Sequence, residues 1–268
     1  MAKLNDQDYL LTQQYQDDAN LQARIAIHRR FSTNTYPWFL WVFDQLNIPA
    51  TCRILELGCG PGDLWLENAH RIAPEWDITL SDFSAGMVRR AKQNLSSQRR
   101  PFTFGIIDAQ TLPFHDRSFD AVFANNMLYH MPDRQKALAE IRRVLRHGGQ
   151  LYATTVGETH MQELPRLVVR FDPSLAANND TETNEFTLES GYAQLARCFS
   201  QVETYRQDNA LLVTEVDPLV DYVLSSFMLG VGKSRRAEFK SFVECEMAYN
   251  DGVIRISKDS GMFAAVRK

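Results

Sequence analysis

The feature that most constrains this chain is an apolar run that ends directly in glycines. Residues 53–62 read Arg-Ile-Leu-Glu-Leu-Gly-Cys-Gly-Pro-Gly. The run through Leu57 reads as a buried strand. Gly58, Gly60 and Gly62 then let the backbone turn sharply and approach a ligand with no side chain in the way. A helical stretch over 63–73 follows. Strand, glycine turn and helix in immediate succession form the first unit of a parallel sheet covered by helices.

The alternation continues. A strand over 78–82 ends at Asp82, and Ser84 caps a helix running to residue 95. Further strands are predicted over 102–107 and 119–124. A helix over 133–145 is expected to stop at His147-Gly148-Gly149, and a fifth strand covers 151–156. Ligands of such sheets bind beyond the carboxyl ends of the strands, so the residues that end the first four strands matter most.

The flanks differ. Residues 1–50 are helical and aromatic, with Phe31, Tyr36, Trp38, Phe39, Trp41 and Phe43 close together and Pro37 placed to open a helix. Trp38, Trp41, Val42 and Gln45 fall at helical spacing; a core-packing helix and a lid over a pocket both fit. Beyond residue 157 the chain reads as helices over 158–169 and 188–199 around a polar linker at Asn178-Asn179-Asp180. Two short strands at 202–205 and 210–215 follow, then helices near 218–227 and 236–249. Gly261 onward makes a closing edge or antiparallel strand.

Composition excludes several classes. The 268 residues are 44% hydrophobic and carry a formal net charge of -4, which does not suit a chain built to neutralise a phosphate backbone. Cys52, Cys59, Cys198 and Cys245 make neither a paired metal motif nor a disulfide framework, so no metal is expected. The opening MAKLNDQDYLL lacks the apolar core of a signal peptide, and no later run approaches a membrane span. A cytoplasmic soluble protein is expected, monomeric or homodimeric, with no nucleic acid or membrane partner.

The glycine loop discriminates among ligands. Its spacing is GxGxG, and Asp63 stands where a dinucleotide fingerprint places its third glycine. A pyrophosphate would lie at the following helix N-terminus, beside the negative charge of Asp63 and with no Lys or Arg in the loop. No Gly-Lys-Ser/Thr follows. An adenosine ligand without phosphate fits better, and Glu56 suits one carrying positive charge. Asp82 offers two oxygens to the hydroxyls of a ribose, and Asp108, with Ala109, could accept from an adenine amino group. A nicotinamide-dependent oxidoreductase remains the alternative that the missing glycine and Asp63 oppose.

ILELGCGPG, SDFSAGMV, IIDAQTLPFHDRSFDAVFANNMLYHMPD and LRHGGQLYATT together resemble the class I S-adenosylmethionine-dependent methyltransferases, and most of all small-molecule enzymes similar to those of quinone biosynthesis. The resemblance covers residues 53–155. It implies an α/β, Rossmann-like, doubly wound and mostly parallel seven-stranded sheet, with a helical N-terminal lid over 1–50, the methyltransferase domain over 51–268, and a substrate-cap insertion over 158–250. It further implies S-adenosylmethionine as cofactor. Gly58, Cys59, Gly60 and Gly62 would pack on its methionine half, Glu56 would support its amino group, and Asp82 would bind ribose. Phe83 and Met87 would flank adenine, Asp108 and Ala109 would contact its amino group, and Asn125 would lie near the methionine end.

The stretch Asn126-Met127-Leu128-Tyr129-His130 departs from the quinone enzymes, so a quinone acceptor is not expected. The absence of Asn-Pro-Pro-aromatic there weighs against methylation of amino groups on DNA bases or glutamine. His130 is the candidate general base, since a sulfonium already has a good leaving group and the enzyme chiefly aligns the reactants. An alternative is that His130 only orients its loop. Tyr15, Arg29, Tyr36, Trp38, His160, Arg166 and Tyr222, with His28, are candidate acceptor-pocket residues whose aromatic faces suit a flat or cationic acceptor. A non-catalytic protein of the same fold, or an RNA methyltransferase, are the other readings.

Overall fold

The computed structural model describes residues 19–98, 100–176, 186–226 and 229–268. Strand β1 (Cys52–Leu57) anchors the sheet; its Ile54, Leu55 and Leu57 are all buried, the continuous apolar pattern of a strand covered on both faces. On one side lie β2 (Trp76–Asp82) and then β3 (Thr103–Ile106); on the other lie β4 (Phe119–Asn125) and β5 (Leu145–Val156). All five are parallel. Two antiparallel strands, β6 (Ser200–Val213) and β7 (Ile254–Val266), complete a seven-stranded sheet of order β3-β2-β1-β4-β5-β7-β6. The order reverses between β1 and β4, which opens a crevice at their carboxyl ends.

Helices α1 (Ala19–Phe31) and α2 (Trp38–Asp44) precede the sheet. Pro37 is the N-cap of α2, which buries Val42 and Phe43. Helix α3 (Asp63–Glu67) follows β1, α4 (Ala85–Asn94) follows β2, and α5 (Arg134–Val144) follows β4. Ser84 Oγ accepts the Met87 N–H at the start of α4, and the Asp133 carboxylate accepts the Lys136 N–H at the start of α5. The apolar faces of α2, α3 and α4 fill one side of the sheet, and α5 with Phe186, Leu195 and Phe199 fills the other. Helices α6 (Glu163–Phe171), α7 (Gly191–Leu195), α8 (Val216–Ser225) and α9 (Arg236–Tyr249) belong to the second half. A third apolar core joins Ile27 and Phe31 of α1 to Val168, Val220 and Val243 of α6, α8 and α9. No helix among the described residues is long and apolar enough to cross a membrane.

Four local expectations need correction. The helix over 133–145 ends at Val144, and His147-Gly148-Gly149 lies inside β5, where the register shifts between Phe119 and Ala121. Gly148 has φ +75°, and a Cβ at Gly149 would stand 3.0 Å from the Asp120 carbonyl oxygen, so both glycines serve this irregularity. The two strands expected at 202–205 and 210–215 are one strand, β6. Its polar middle hid this, because Gln207 is buried at a site rather than exposed in a turn. Of the two alternatives for the closing stretch the antiparallel one holds, since β7 pairs antiparallel with β5 and β6, but the strand begins at Ile254 rather than Gly261 and the edge strand is β6. The helices expected over 158–169 and 188–199 are shorter and begin later, at Glu163 and Gly191. The linker at Asn178-Asn179-Asp180 lies outside the described residues.

Candidate functional site

A cavity of about 930 Å³ opens at the carboxyl ends of β1, β2 and β4. The glycine loop forms one wall. Gly58, Gly60 and Gly62 have φ of +67°, +53° and +84°, a conformation that side chains with a Cβ resist. A Cβ at Gly58 would stand 2.9 Å from the Cβ of Met127, and one at Gly62 would stand 3.0 Å from Leu95 Cδ1. At Gly60 nothing lies within 4 Å, so its α-carbon faces open cavity. Gly62 itself packs on Leu95 and Ala91 and does not line the cavity.

Glu56 sits beneath the loop, 2% exposed. Its Oε2 accepts the Trp65 indole N–H at 2.6 Å and its Oε1 accepts the Asn125 amide N–H at 2.8 Å. Burial pushes its carboxyl up to about 7 despite those bonds, and Asp82 and Asp63 add to the rise. Asn125 Oδ1 is buried and has no hydrogen-bond partner among the described residues. An acidic oxygen pair next to an unsatisfied acceptor asks for a ligand rich in N–H and positive in charge. An α-ammonium group meets that requirement, so the residues present fit the methionine end of S-adenosylmethionine.

Asp82 follows at the end of β2. Its Oδ2 accepts the Gly60 N–H at 3.0 Å and its Oδ1 accepts the Ser84 N–H at 2.8 Å, leaving lone pairs on both oxygens. Burial raises this carboxyl as well. Phe83 and Met87 lie beside it, with Asp108 and Ala109 farther along the same wall. Asp108 Oδ1 accepts the Gln110 backbone N–H at 2.9 Å and its side-chain amide at 3.1 Å, which fixes its orientation. Cys59 is buried; its N–H donates to the Ser81 carbonyl at 2.8 Å, and burial first, then Glu56 and Asp82, keeps its thiol protonated.

The opposite half is walled by α1, the segment before α2, the turn after β4 and the middles of β6 and β7. Arg29, Tyr36, Trp38, His160 and Tyr222 all reach the cavity, as do His28 and His130. His130 ends a short turn over Leu128–His130, and its backbone N–H donates to the Met127 carbonyl at 2.9 Å. The His28 and His160 rings stack with centroids 6.5 Å apart, and Tyr222 meets His28 edge-on at 6.1 Å. Arg166 is not part of the site: it is exposed on α6 and donates to Gln162 at 2.8 Å. Tyr15 lies outside the described residues. The reading of the sequence missed Gln207, Asn209, Lys258 and Ser260, which line the cavity from β6 and β7. No alternation marks them, because their strand neighbours Arg206, Asp208, Ser257 and Asp259 are polar as well.

Residues 54–149 match the family described as "Methyltransferase domain". The matched stretch runs from β1 into β5 and contains the glycine loop, Asp82 and Asp108, so this part of the chain is similar to the class I S-adenosylmethionine-dependent methyltransferases. Within that class the chain is similar to the methyltransferases of quinone biosynthesis. It is 32% identical over 114 residues to the ubiquinone/menaquinone biosynthesis C-methyltransferase UbiE of Bordetella avium, a stretch covering 42% of this chain and 44% of that protein. The corresponding protein of Methylococcus capsulatus is 29% identical over 183 residues, covering 65% of this chain and 71% of that one. The first of these curated relatives is thus matched over less than half its length. Among solved structures, phosphoethanolamine N-methyltransferase 2 of Haemonchus contortus in complex with S-adenosyl-L-methionine shares the fold, with TM-score 0.60 and 19% identity, covering 100% of this chain and 60% of that one.

Proposed function

We propose that this chain transfers the methyl group of S-adenosylmethionine to a small-molecule acceptor held in the same cavity. The observation that carries the proposal is the buried Glu56–Asn125 pair, with its unsatisfied Oδ1, set under a glycine loop and in line with Asp82 and Asp108. Ligand pockets run to about 1,000 Å³, and a cavity of about 930 Å³ leaves room for an acceptor beside the cofactor. The formal net charge of -4 favours a small acceptor over a nucleic acid.

When bound, S-adenosylmethionine supplies an electrophilic methyl group on a sulfonium. The chain's part is binding and alignment. Glu56 and Asn125 receive the ammonium, Asp82 the ribose hydroxyls, and Asp108 with Ala109 the adenine amino group, while Phe83 and Met87 flank the base. Gly60 leaves the space through which the ligand meets the backbone. His130 stands on the turn that follows β4, facing the cavity, and serves as general base where the acceptor is a hydroxyl or a weakly acidic carbon. Arg29, Tyr36, Trp38, His160 and Tyr222 shape the acceptor half.

Calorimetric titration with S-adenosylmethionine, S-adenosylhomocysteine, NAD and NADP tests this reading. Micromolar binding of the first two with silence from the dinucleotides is expected. Dinucleotide binding without a response to S-adenosylmethionine overturns it.

A further inference from the structure

We propose that the methyl acceptor carries a carboxylate and that Lys258 receives it. This rests on the methyl-transfer reading above. In the register of β6 and β7, Gln207 stands opposite Ser260 and Asn209 opposite Lys258. Directly opposed residues share a face of a sheet, and so do positions two apart, which gathers the four into one patch. All four line the cavity.

Lys258 is the unusual member. It is partly buried, and among the described residues no carboxylate pairs with its ammonium. The adjacent acid is occupied elsewhere: Asp259 accepts from Thr159 Oγ1 at 3.1 Å and pairs with Arg206 at 3.3 Å. Burial alone lowers the Lys258 ammonium to about 8, the mark of a cation lacking a counter-charge.

Asn209 and His160 present donors beside Lys258, while the Gln207 amide N–H is already given to the Tyr36 carbonyl at 3.5 Å. Asn209 commits its Oδ1 to the backbone N–H groups of Asn34 at 3.1 Å and Ala210 at 2.8 Å, which leaves its NH2 group available. His160 Nδ1 accepts the Asp259 N–H at 3.1 Å, so the proton of the neutral ring is assigned to Nε2. Burial first, then Lys258, holds that ring neutral. One positive charge among neutral N–H donors is complementary to a carboxylate. A phosphate dianion would bring a second charge, and Arg29, another cation at the cavity wall, already pairs with Glu67 at 3.5 Å. The cationic acceptor that the aromatic residues suggested would meet repulsion from Lys258.

The test uses the full chain saturated with S-adenosylhomocysteine. Binding of salicylate, anthranilate and cinnamate is compared with that of their methyl esters, together with phenyl phosphate. The acids are expected to bind about 10- to 100-fold more tightly than the esters, the range of a hydrogen bond to a charged group. Lys258→Met should erase the difference and Lys258→Arg keep it, with affinity for S-adenosylhomocysteine unmoved in both. Esters that bind as well as acids, or acids that bind no better to the native protein than to Lys258→Met, overturn the proposal. So does a preference for phenyl phosphate, or a loss of S-adenosylhomocysteine affinity in Lys258→Met, which would make Lys258 a partner of the cofactor's own carboxylate. Failure of the methyl-transfer reading shows separately, as a native protein that does not bind S-adenosylhomocysteine, and takes this inference with it.

Discussion

The Trp65 indole N–H donates to Glu56 Oε2 at 2.6 Å, joining the end of β1 to α3 across the base of the glycine loop. Both side chains are buried, so the bond fixes the carboxylate where water cannot reorient it. The loop is thereby tied at both ends to the residue proposed to receive the cofactor's ammonium.

The titration of Glu56 should therefore be visible in binding. Its carboxyl is raised from 4.5 to about 7, and a cationic ligand needs it ionised. Affinity for S-adenosylhomocysteine is expected to fall roughly tenfold from pH 8 to pH 6, with proton release seen as a buffer-dependent calorimetric enthalpy. The sign for stability is the reverse: with a raised carboxyl, the ligand-free protein loses stability as pH rises from 4.5 through about 7. Trp65→Phe removes a bond to the charged form and should move the binding midpoint to higher pH. A binding curve flat across this range in the native protein removes Glu56 from the ammonium site.

Asp82→Ala is expected to weaken S-adenosylhomocysteine binding by roughly 1–3 kcal/mol, the cost of leaving hydroxyls unpaired. Part of that loss comes from freeing the Gly60 N–H, which Asp82 holds at 3.0 Å. An unchanged dissociation constant would show that the ribose lies elsewhere.

The loop glycines should separate by phenotype. Gly58→Ala drives a methyl group into Met127 and should lower the melting temperature most. Gly60→Ala meets no protein atom; beyond about 1–2 kcal/mol for its left-handed backbone, its damage should be confined to ligand binding. Equal melting temperatures and equal affinities for the two variants would refute this division.

Acid stability should report on His160. Burial holds its ring down at about 4, against 6.5 when exposed. The unfolded chain takes up the proton first, so stability is present above 6.5 and is lost as pH falls toward 4, by up to about 3 kcal/mol. Chemical denaturation of His160→Gln across this range should show a shallower decline; an identical slope would assign the acid sensitivity to other groups.

His130→Ala should leave S-adenosylhomocysteine affinity intact while lowering kcat by about 10²–10⁴, the usual worth of a general base. A kcat near the native value, measured with an acceptor that the protein turns over, would leave His130 only its part in orienting the turn.

The two halves of the cavity differ in how readily the sequence reveals them. Glu56, Asp82 and Asp108 each stand at or next to the end of a short apolar strand, so a local pattern announces both strand and site residue. Lys258 and Asn209 become neighbours only through the antiparallel register of β6 and β7, which no local pattern fixes. The polar residues that build this patch also broke the apolar signal of β6 and made one strand read as two. At His147-Gly148-Gly149 the error had another source: glycines after a helix resemble a helix stop, while these two answer to the Asp120 carbonyl of the neighbouring strand.

The position of β7 between β5 and β6 carries a consequence for the order in which the protein can be built. Strand β6 is synthesised before β7 yet has no place in the sheet until β7 is laid down beside β5. The strands from β1 to β5 already adjoin one another and can form the wall that carries the glycine loop, Asp82 and Asp108 while the later chain is still emerging from the ribosome. The wall bearing Asn209 and Lys258 cannot exist at that stage. During its own synthesis the protein would thus complete the wall proposed for a methyl donor before the wall proposed for an acceptor.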